Sequence, residues 1–316
     1  MRKALKVIGK ILLVLLAVIV IAVVAIFIWH RIMLEKEKPL LEHPIGQLIE
    51  VDGHNMCVYT EGEGKHTLLF LSGSGTPAPI IDFKPLYSLL NDDYRIVVIE
   101  KYGYGFSDLV DTERPFTTIL RQDREVLSKA GIEGPFILCP HSMSGLEAIM
   151  WAQDYPDEVE AIVGLDNVLP RTYDNFDVEG TLKLEGLFTA AREMGFARLY
   201  YSDSFLPDSL TKEEKDLYRA IASRNLVNVD VMNEGKAIFD AVRLIDSKVK
   251  PDVPMIMFIS DGKETKGSDW IGNHYKYAAD LSNAKVIELG CGHYVHYFKA
   301  NEIASEMRSF IKNNLG

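Results

Sequence analysis

The chain has 316 residues, of which 47% are hydrophobic, and it carries a formal net charge of −11. A chain of this length can bury a sizeable core, and we expect one large domain. Residues 1–38 are basic, with seven Lys and Arg against two Glu, whereas the remainder has 27 Lys and Arg against 43 Asp and Glu. An acidic domain of this kind argues against nucleic-acid binding.

The first 44 residues predict a membrane anchor followed by a tether. Residues 1–10 form a basic flank, and Ile11–Trp29 is an uninterrupted apolar run that spans roughly 28 Å as a helix, which matches a bilayer core. No small-residue cleavage site is evident before residue 30, so we interpret the run as an uncleaved signal anchor. The positive-inside rule then predicts a single-pass membrane protein with an extracytoplasmic domain, although basic residues in the predicted tether, residues 30–44, oppose that orientation.

From residue 45 to residue 316, short apolar strands alternate with helical patterns. Strands are predicted at Gly46–Val51, Asn55–Thr60, His66–Leu71, Arg95–Glu100, Val159–Leu165, Pro254–Ile259 and Lys285–Leu289, and a further short apolar strand begins at Phe136, before Ser142. Helices are predicted at Asp82–Leu90, Thr117–Ala130, Gly145–Asp154, Trp270–Asp280 and Glu302–Asn313. This alternation is typical of an α/β fold with a mostly parallel sheet covered on both faces.

Residues 171–250 interrupt the alternation. They contain helical patterns, such as Leu182–Met194, Lys212–Ile221 and Val231–Ile245, and no convincing strand. We therefore predict a helical cap that is inserted into the domain and covers the carboxyl edge of the sheet.

The stretch from Phe136 to Ala148 predicts a strand, a sharp turn with Ser142 at its apex, and a helix. This is the geometry of a nucleophile elbow, which exposes a serine hydroxyl above a sheet. The usual pattern has Gly two residues before and two residues after the serine, where this chain has Pro140 and Ser144. The alternative interpretation is a serine, Ser142 or Ser144, that caps an ordinary helix.

A serine nucleophile needs a histidine base and a carboxylate that orients the base, in the chain order serine, acid, histidine for this type of elbow. His293, in the loop between the last strand and the last helix, is the predicted base. Asp261, after the preceding strand, is the first choice for the acid, with Asp166 and then Glu264 as alternatives. His141 and His296 are interpreted as supporting or structural residues.

Acyl transfer also needs N–H donors for the oxyanion that forms on the substrate. We predict the backbone N–H groups of Met143 and Ser74 for this role. The stretch Ser72–Gly75, which holds Ser74, matches neither a Rossmann nor a Walker pattern, and the prolines that follow it, Pro77 and Pro79, break any helix that could bind phosphate. We therefore predict no nucleotide or other cofactor.

A metal site is not predicted either. No spacing of His, Cys, Asp and Glu indicates one. Cys57, Cys139 and Cys291 are too few and too scattered for a disulfide framework or a metal cluster.

Four motifs together resemble the α/β-hydrolase superfamily, in its capped single-domain form. They are Leu71–Gly75, Tyr102–Asp108, His141–Gly145 and Gly292–His293. The resemblance covers about residues 45–316 and implies an eight-stranded, mostly parallel sheet. The chain departs from the family pattern at Ser72, where the family often has His, and at Lys263, where the family's usual acid would fall.

These observations predict a membrane-anchored serine hydrolase that cleaves a small or lipid-derived carboxylic ester. Aromatic residues of the cap would shape an apolar pocket, namely Phe188, Phe196, Tyr200, Tyr201 and Phe205. One alternative, suggested by the related proline iminopeptidases, is an aminopeptidase that acts on short peptides. The other is a catalytically silent binding protein on the same fold, because a fold does not dictate a function.

Overall fold

An eight-stranded sheet forms the centre of the computed structural model, which describes residues 2–174, 177–203, 205–265 and 268–316. The strands are β1 (Gln47–Val51), β2 (His54–Glu61), β3 (Thr67–Leu71), β4 (Arg95–Glu100), β5 (Phe136–Pro140), β6 (Val159–Leu165), β7 (Met255–Ile259) and β8 (Ala284–Glu288). Their spatial order is β1-β2-β4-β3-β5-β6-β7-β8. The pairs β1–β2 and β2–β4 are antiparallel, and all the other pairs are parallel. The predicted fold class is confirmed.

The helices cover both faces of this sheet. They are α1 (Arg2–Lys36), α2 (Lys38–Leu41), α3 (Pro79–Asp82), α4 (Lys84–Tyr87), α5 (Phe116–Lys129), α6 (Ser144–Asp154), α7 (Val178–Glu193), α8 (Ala197–Tyr200), α9 (Lys212–Asn225), α10 (Val229–Lys236), α11 (Ile238–Asp246), α12 (Trp270–Ala279), α13 (Val295–Phe298) and α14 (Ala300–Asn314). Short 3-10 helices lie at Pro156–Glu158 and Pro170–Tyr173.

The core is divided by the sheet into two apolar layers. One layer is contributed mainly by α5, α6, α11 and α12, and the other by α3, α4 and α14. The central strands β3, β5 and β7 are buried along their whole length, which is why they appear in the sequence as continuous apolar runs.

The position of the site follows from the topology. After β3 the chain enters the layer of α3 and α4, whereas after β5 it enters the opposite layer through α6. The carboxyl ends of β3 and β5 are adjacent in the sheet. In open α/β sheets, ligands bind at such a switch point, where neighbouring strands send their connections to opposite faces.

Two predicted helices are each divided in the structure. The predicted helix Asp82–Leu90 becomes α3 and α4, because Pro85 has no N–H group with which to continue the hydrogen bonds of α3. The predicted helix Val231–Ile245 becomes α10 and α11, with the break beside Gly235, which is a poor helix former.

The helices α7–α11, which we call the cap, lie between β6 and β7 in the chain and are joined to the core by buried carboxylates of α10. Asp230 accepts hydrogen bonds from the backbone N–H groups of Val110 (2.9 Å) and Asp111 (3.0 Å). Glu234 accepts a 2.5 Å hydrogen bond from the hydroxyl of Tyr104. Because Asp230 and Glu234 are fully buried, these hydrogen bonds fix α10 to the loop that follows β4.

The N-terminal segment differs from the predicted tether. Helix α1 continues to Lys36 and is followed by α2, and the side chains of His30 and Glu37 are buried. By length and composition, Leu5–Lys36 is a helix that could cross a membrane. Residues 30–41 are therefore helical over most of their length and packed against the rest of the protein.

We expect Asp230→Ala to lower the free energy of unfolding by about 1–3 kcal/mol, because two backbone N–H groups lose the buried carboxylate that accepts their hydrogen bonds. Urea unfolding of the full chain in detergent would measure this loss. Asp240→Ala is the control, because Asp240 lies on the neighbouring helix α11 and its side chain is 68% exposed. Equal effects of the two substitutions would contradict the role of Asp230.

Candidate active site

Ser142 lies at the apex of the turn between β5 and α6. Its φ angle is +53°, in the left-handed region that non-glycine residues seldom adopt. Hydrogen bonds from Ser144 N to His141 O (3.3 Å) and from Gly145 N to Ser142 O (3.0 Å) close the turn. Ser142 remains partly accessible, whereas both of its neighbours are buried. A strained, exposed serine between a strand and a helix is the arrangement of a nucleophile elbow.

Two glycines allow other backbone segments to approach this turn. A Cβ atom on Gly73 would lie 2.6 Å from Cβ of Ser142, and one on Gly145 would lie 2.1 Å from the carbonyl oxygen of Val168. Ser144 stands where the family usually has Gly, and its hydroxyl donates a 2.7 Å hydrogen bond to the carbonyl of Leu71. The close approach that requires glycine therefore occurs one residue later, at Gly145.

His293 connects Ser142 to a buried carboxylate. Its Nε2 lies 2.9 Å from Oγ of Ser142, and its Nδ1 lies 2.5 Å from Oδ2 of Asp166. A carboxylate accepts hydrogen bonds, so this partner assigns the proton to Nδ1 and leaves Nε2 free to accept the proton of the serine hydroxyl. The arrangement has the geometry of a serine, histidine and acid triad.

Asp166 follows β6 directly and is fully buried. Its Oδ1 accepts hydrogen bonds from the backbone N–H of Ser260 (2.6 Å) and the indole N–H of Trp270 (2.8 Å). Together with His293, these donors occupy both carboxylate oxygens. Hydrogen bonds to the ionised form offset the cost of burying its charge.

Asp261, the first choice for the acid, contacts Lys263, whereas Asp166 contacts His293. Asp261 accepts hydrogen bonds from the backbone N–H (3.1 Å) and the ammonium group (2.6 Å) of Lys263, which lowers the pKa of Asp261. Glu264, the third choice, lies beside Gly292 and makes no hydrogen bond to His293 among the described residues. The chain turns after β7 so that Ser260 N–H meets Asp166, and this turn directs Asp261 away from the histidine.

The two predicted oxyanion donors flank the serine. Met143 follows Ser142 directly, and Ser74 adjoins Gly73, whose backbone touches Ser142. Within the described part of the chain, no protein acceptor is bonded to either backbone N–H group. Both donors are thus available to a substrate.

His141 forms a hydrogen bond with the backbone of the loop that carries His293. Its Nε2 donates a 3.2 Å hydrogen bond to the backbone carbonyl of His293. Burial, reinforced by the nearby imidazoles of His293 and His296, holds the pKa of His141 well below its usual value. We therefore interpret His141 as a neutral positioning residue.

A second buried histidine and carboxylate pair lies behind His141. Nε2 of His296 is 3.1 Å from Oδ2 of Asp82, and both side chains are fully buried. The hydroxyls of Tyr218 and Tyr297 donate to the same carboxylate. Sequence reasoning missed Asp82, because no local pattern distinguishes it from an ordinary helical aspartate.

Aromatic rings extend from the histidine loop toward the cap. The ring of Tyr294 lies 6.0 Å from that of His293, Phe205 lies 6.4 Å from Tyr294, and Tyr200 lies 4.6 Å from Phe205. Tyr201 packs 5.3 Å from Phe205. Of the five aromatic residues predicted to shape the pocket, Tyr200, Tyr201 and Phe205 take part in these ring contacts. Tyr200, Phe188 and Phe196 are exposed.

No arrangement of three or more His, Cys, Asp and Glu side chains that could hold a metal ion occurs in the described ranges.

The sheet order and the site at its carboxyl edge define the α/β-hydrolase fold, which is also the fold of a solved enol-lactonase from Burkholderia xenovorans. That structure superimposes with a TM-score of 0.65 at 15% identity, over 84% of this chain and all of the lactonase. A 2-hydroxy-6-oxononadienedioate/2-hydroxy-6-oxononatrienedioate hydrolase of Paraburkholderia phymatum is 31% identical over 132 residues, which are 40% of this chain and 46% of that protein. The predicted superfamily is confirmed.

Within that superfamily, the chain belongs to the same family as the uncharacterized protein YbdG of Bacillus subtilis. The two are 34% identical over 316 residues, which cover 96% of this chain and 97% of YbdG. No family model matches the chain.

The hydrogen bonds of Asp166 predict how the reactivity of Ser142 depends on the acid. We expect Asp166→Asn to slow covalent labelling of Ser142 by a fluorophosphonate roughly a thousandfold or more, because an amide can leave His293 in the wrong tautomer. Asp261→Asn is the matched control and should label at nearly the original rate. The opposite ranking of the two variants would restore Asp261 as the acid.

Proposed function

We propose that this protein is a serine hydrolase that cleaves carboxylic esters, with Ser142 as nucleophile, His293 as general base and Asp166 as the residue that orients the histidine. The observation that carries the proposal is the unbroken hydrogen-bond chain from Ser142 Oγ through both ring nitrogens of His293 to a buried carboxylate. A helix-capping serine would not need a histidine and an acid in this order.

In the proposed reaction, Oγ of Ser142 attacks the ester carbonyl carbon while its proton moves to Nε2 of His293. The imidazolium that forms is stabilised by the carboxylate of Asp166. Collapse of the tetrahedral intermediate breaks the bond to the alcohol, which leaves with the proton from Nε2. A water molecule then transfers a proton to Nε2 of His293 and attacks the acyl carbon. The bond between that carbon and Oγ breaks as Nε2 returns the proton to Oγ, which releases the carboxylic acid and restores the serine.

The negative charge on the carbonyl oxygen is proposed to be held by the backbone N–H groups of Ser74 and Met143. Neither group has a protein acceptor in the described ranges, so neither has to break a bond to the protein before it binds the oxyanion. Preorganised donors of this kind contribute about 2.7–4 kcal/mol each to transition-state stabilisation.

We further propose that α1 anchors this hydrolase in a membrane as a single-pass helix, with the catalytic domain outside the cytoplasm. The exposed apolar side chains of α1 and its length support an anchor. The basic residues that precede the apolar run support the orientation. A small or lipid-derived ester fits both the aromatic surroundings of His293 and this location.

We expect Ser142→Ala to abolish hydrolysis of short- and medium-chain p-nitrophenyl esters by the full chain in detergent, because no other group in the proposed mechanism attacks the carbonyl. Ser128→Ala, an exposed serine on α5, is the control and should leave turnover unchanged. Turnover that survives in Ser142→Ala would exclude the serine mechanism. If the unaltered protein shows no esterase activity, cleavage of aminoacyl-arylamides would favour the peptidase, and silence there too would favour a binding protein.

The contact between Gly73 and Ser142 generates a further expectation. A methyl group on Gly73 would lie 2.6 Å from Cβ of Ser142, so Gly73→Ala must move the loop that carries Ser74. We expect kcat for p-nitrophenyl esters to fall by about a hundredfold, the usual effect of losing one oxyanion donor.

Gly186→Ala is the control for this substitution, because Gly186 has open space around its Cα. Unfolding of both variants should be monitored by circular dichroism to exclude a general loss of structure. Undiminished kcat in folded Gly73→Ala would argue against the oxyanion role of Ser74.

A further inference from the structure

The last turns of α1 are fixed to the cap by a buried ionic contact, which we call the anchor contact. Arg198 of α8 donates two hydrogen bonds to the carboxylate of Glu37, at 2.5 and 2.7 Å, and a third to Nδ1 of His30 at 3.0 Å. All three side chains are buried. Arg224 of α9 lies 3.6 Å from Glu37 and also donates to the carbonyl of Leu34. A bidentate, charge-assisted pair of this kind fixes geometry as well as contributing energy.

The contact of Gly195 with α1 shows which turn of α1 lies beside the cap. A Cβ atom on Gly195 would lie 2.5 Å from Cβ of His30 and 3.4 Å from the carbonyl oxygen of Ile26, so Gly195 packs closely against this turn of α1. Trp29, which closes the apolar run, lies in the same turn, with its ring 5.8 Å from the guanidinium of Arg198. Ile26 is about 5 Å inside the apolar run at 1.5 Å per residue. In a membrane, Gly195 would lie near the boundary between headgroups and hydrocarbon.

Exposed apolar side chains are concentrated in the segments of the cap on either side of Gly195 in the chain. Fifteen large hydrophobic residues after α1 are exposed in the described ranges, and six of them fall within residues 184–200. These six, which we call the cap face, are between 36% and 65% exposed: Leu184, Leu187, Phe188, Phe196, Leu199 and Tyr200. Such a concentration is unusual for a surface in contact with water and marks an interaction site.

Along α7, three residues of the cap face share one side of the helix. Leu184, Leu187 and Phe188 have the i, i+3, i+4 spacing of one helical face. The charged pair Glu179 and Lys183, 2.8 Å apart, borders this side, because Lys183 lies one turn before Leu187. A helix with separate apolar and charged sides is typical of elements that lie in a membrane interface.

We propose that the cap face lies on a lipid bilayer beside α1, held there by the anchor contact, and that the Ser142 site receives its ester substrate from that bilayer. The bilayer is the occupant because the anchor contact sets the cap face at the level where the apolar run of α1 ends. Tyr200 belongs to the cap face and also begins the ring contacts that lead through Phe205 and Tyr294 to His293. The apolar surface and the site are thus continuous.

The first part of the proposal can be tested without any enzyme activity. Nitroxide spin labels are attached to Leu187→Cys or Leu199→Cys in a Cys291→Ser background, since the other two cysteines are buried. The full chain is reconstituted in vesicles of phosphatidylethanolamine and phosphatidylglycerol. Collision rates of each label with oxygen, which concentrates in lipid, and with a water-soluble nickel chelate are then measured. Leu16→Cys in the apolar run and Ser309→Cys on exposed α14 serve as lipid and water references.

We expect the ratio of oxygen to chelate collisions at both cap positions to be several-fold higher than at Ser309 and to approach that at Leu16. Adding Arg198→Gln should lower the ratio, whereas Arg243→Gln, an exposed pair on α11, should not. Ratios equal to that at Ser309 would overturn the proposal. Protection from both agents would also overturn it, because a second copy or another protein would then cover the cap face.

The second part rests on the proposed function and has its own readout. Leu187→Glu with Leu199→Glu should reduce hydrolysis of a long-chain ester embedded in the vesicles several-fold, while turnover of a water-soluble p-nitrophenyl ester stays unchanged. Equal loss on both substrates, or none on either, would exclude delivery from the bilayer. Ser142→Ala should leave the spin-label ratios unaltered, so failure of the hydrolase mechanism is distinguishable from failure of membrane docking.

Discussion

The candidate site depends on the close approach of three backbone segments at the carboxyl edge of the sheet. The turn at Ser142 takes a left-handed conformation, which costs on the order of 1–3 kcal/mol and persists only when the surrounding packing enforces it. Gly73 on one side and Gly145 against Val168 on the other supply that packing, because neither position has room for a Cβ atom. The same contacts that strain the turn hold the hydroxyl of Ser142 near His293. They also place the loop of Gly73 and Ser74 beside Ser142, and the N–H group of Ser74 has no protein acceptor in the described ranges.

The electrostatics of the site are built from buried groups whose partners are fixed. Asp166 has no access to solvent, and its carboxylate accepts hydrogen bonds from the turn after β7, from α12 and from the histidine loop. His141, kept neutral by burial, supports the loop of His293 without adding a positive charge. Behind it, Asp82 collects donors from a histidine and two tyrosines. Polar groups buried in this way are costly to displace, so the geometry of the site is rigid.

The cap joins two other parts of the molecule. Its helix α10 is fixed to the core through buried carboxylates, and α8 and α9 are fixed to the end of α1 through buried or half-buried arginines. Because both attachments are buried, the cap sets the position of the core relative to the N-terminal helix. The short helix α8 lies between the anchor contact and the aromatic residues beside His293, so the position of α1 and access to the site are linked through one element.

The sequence by itself determined the sheet, since strands buried on both faces appear as apolar runs, and each strand lies within one residue of its predicted bounds. It also predicted Ser142 and His293 as site residues, because a nucleophile turn and a histidine loop have local patterns. The sequence left Asp166 and Asp261 as rivals, because both follow strands that end at the same edge. Only the tertiary structure shows that Asp166 contacts His293, with donors from the turn after β7 and from α12 that no local pattern predicts. The contact between α1 and the cap could not be predicted from the sequence either, since Glu37 and Arg198 are 161 residues apart and meet only when the chain is folded.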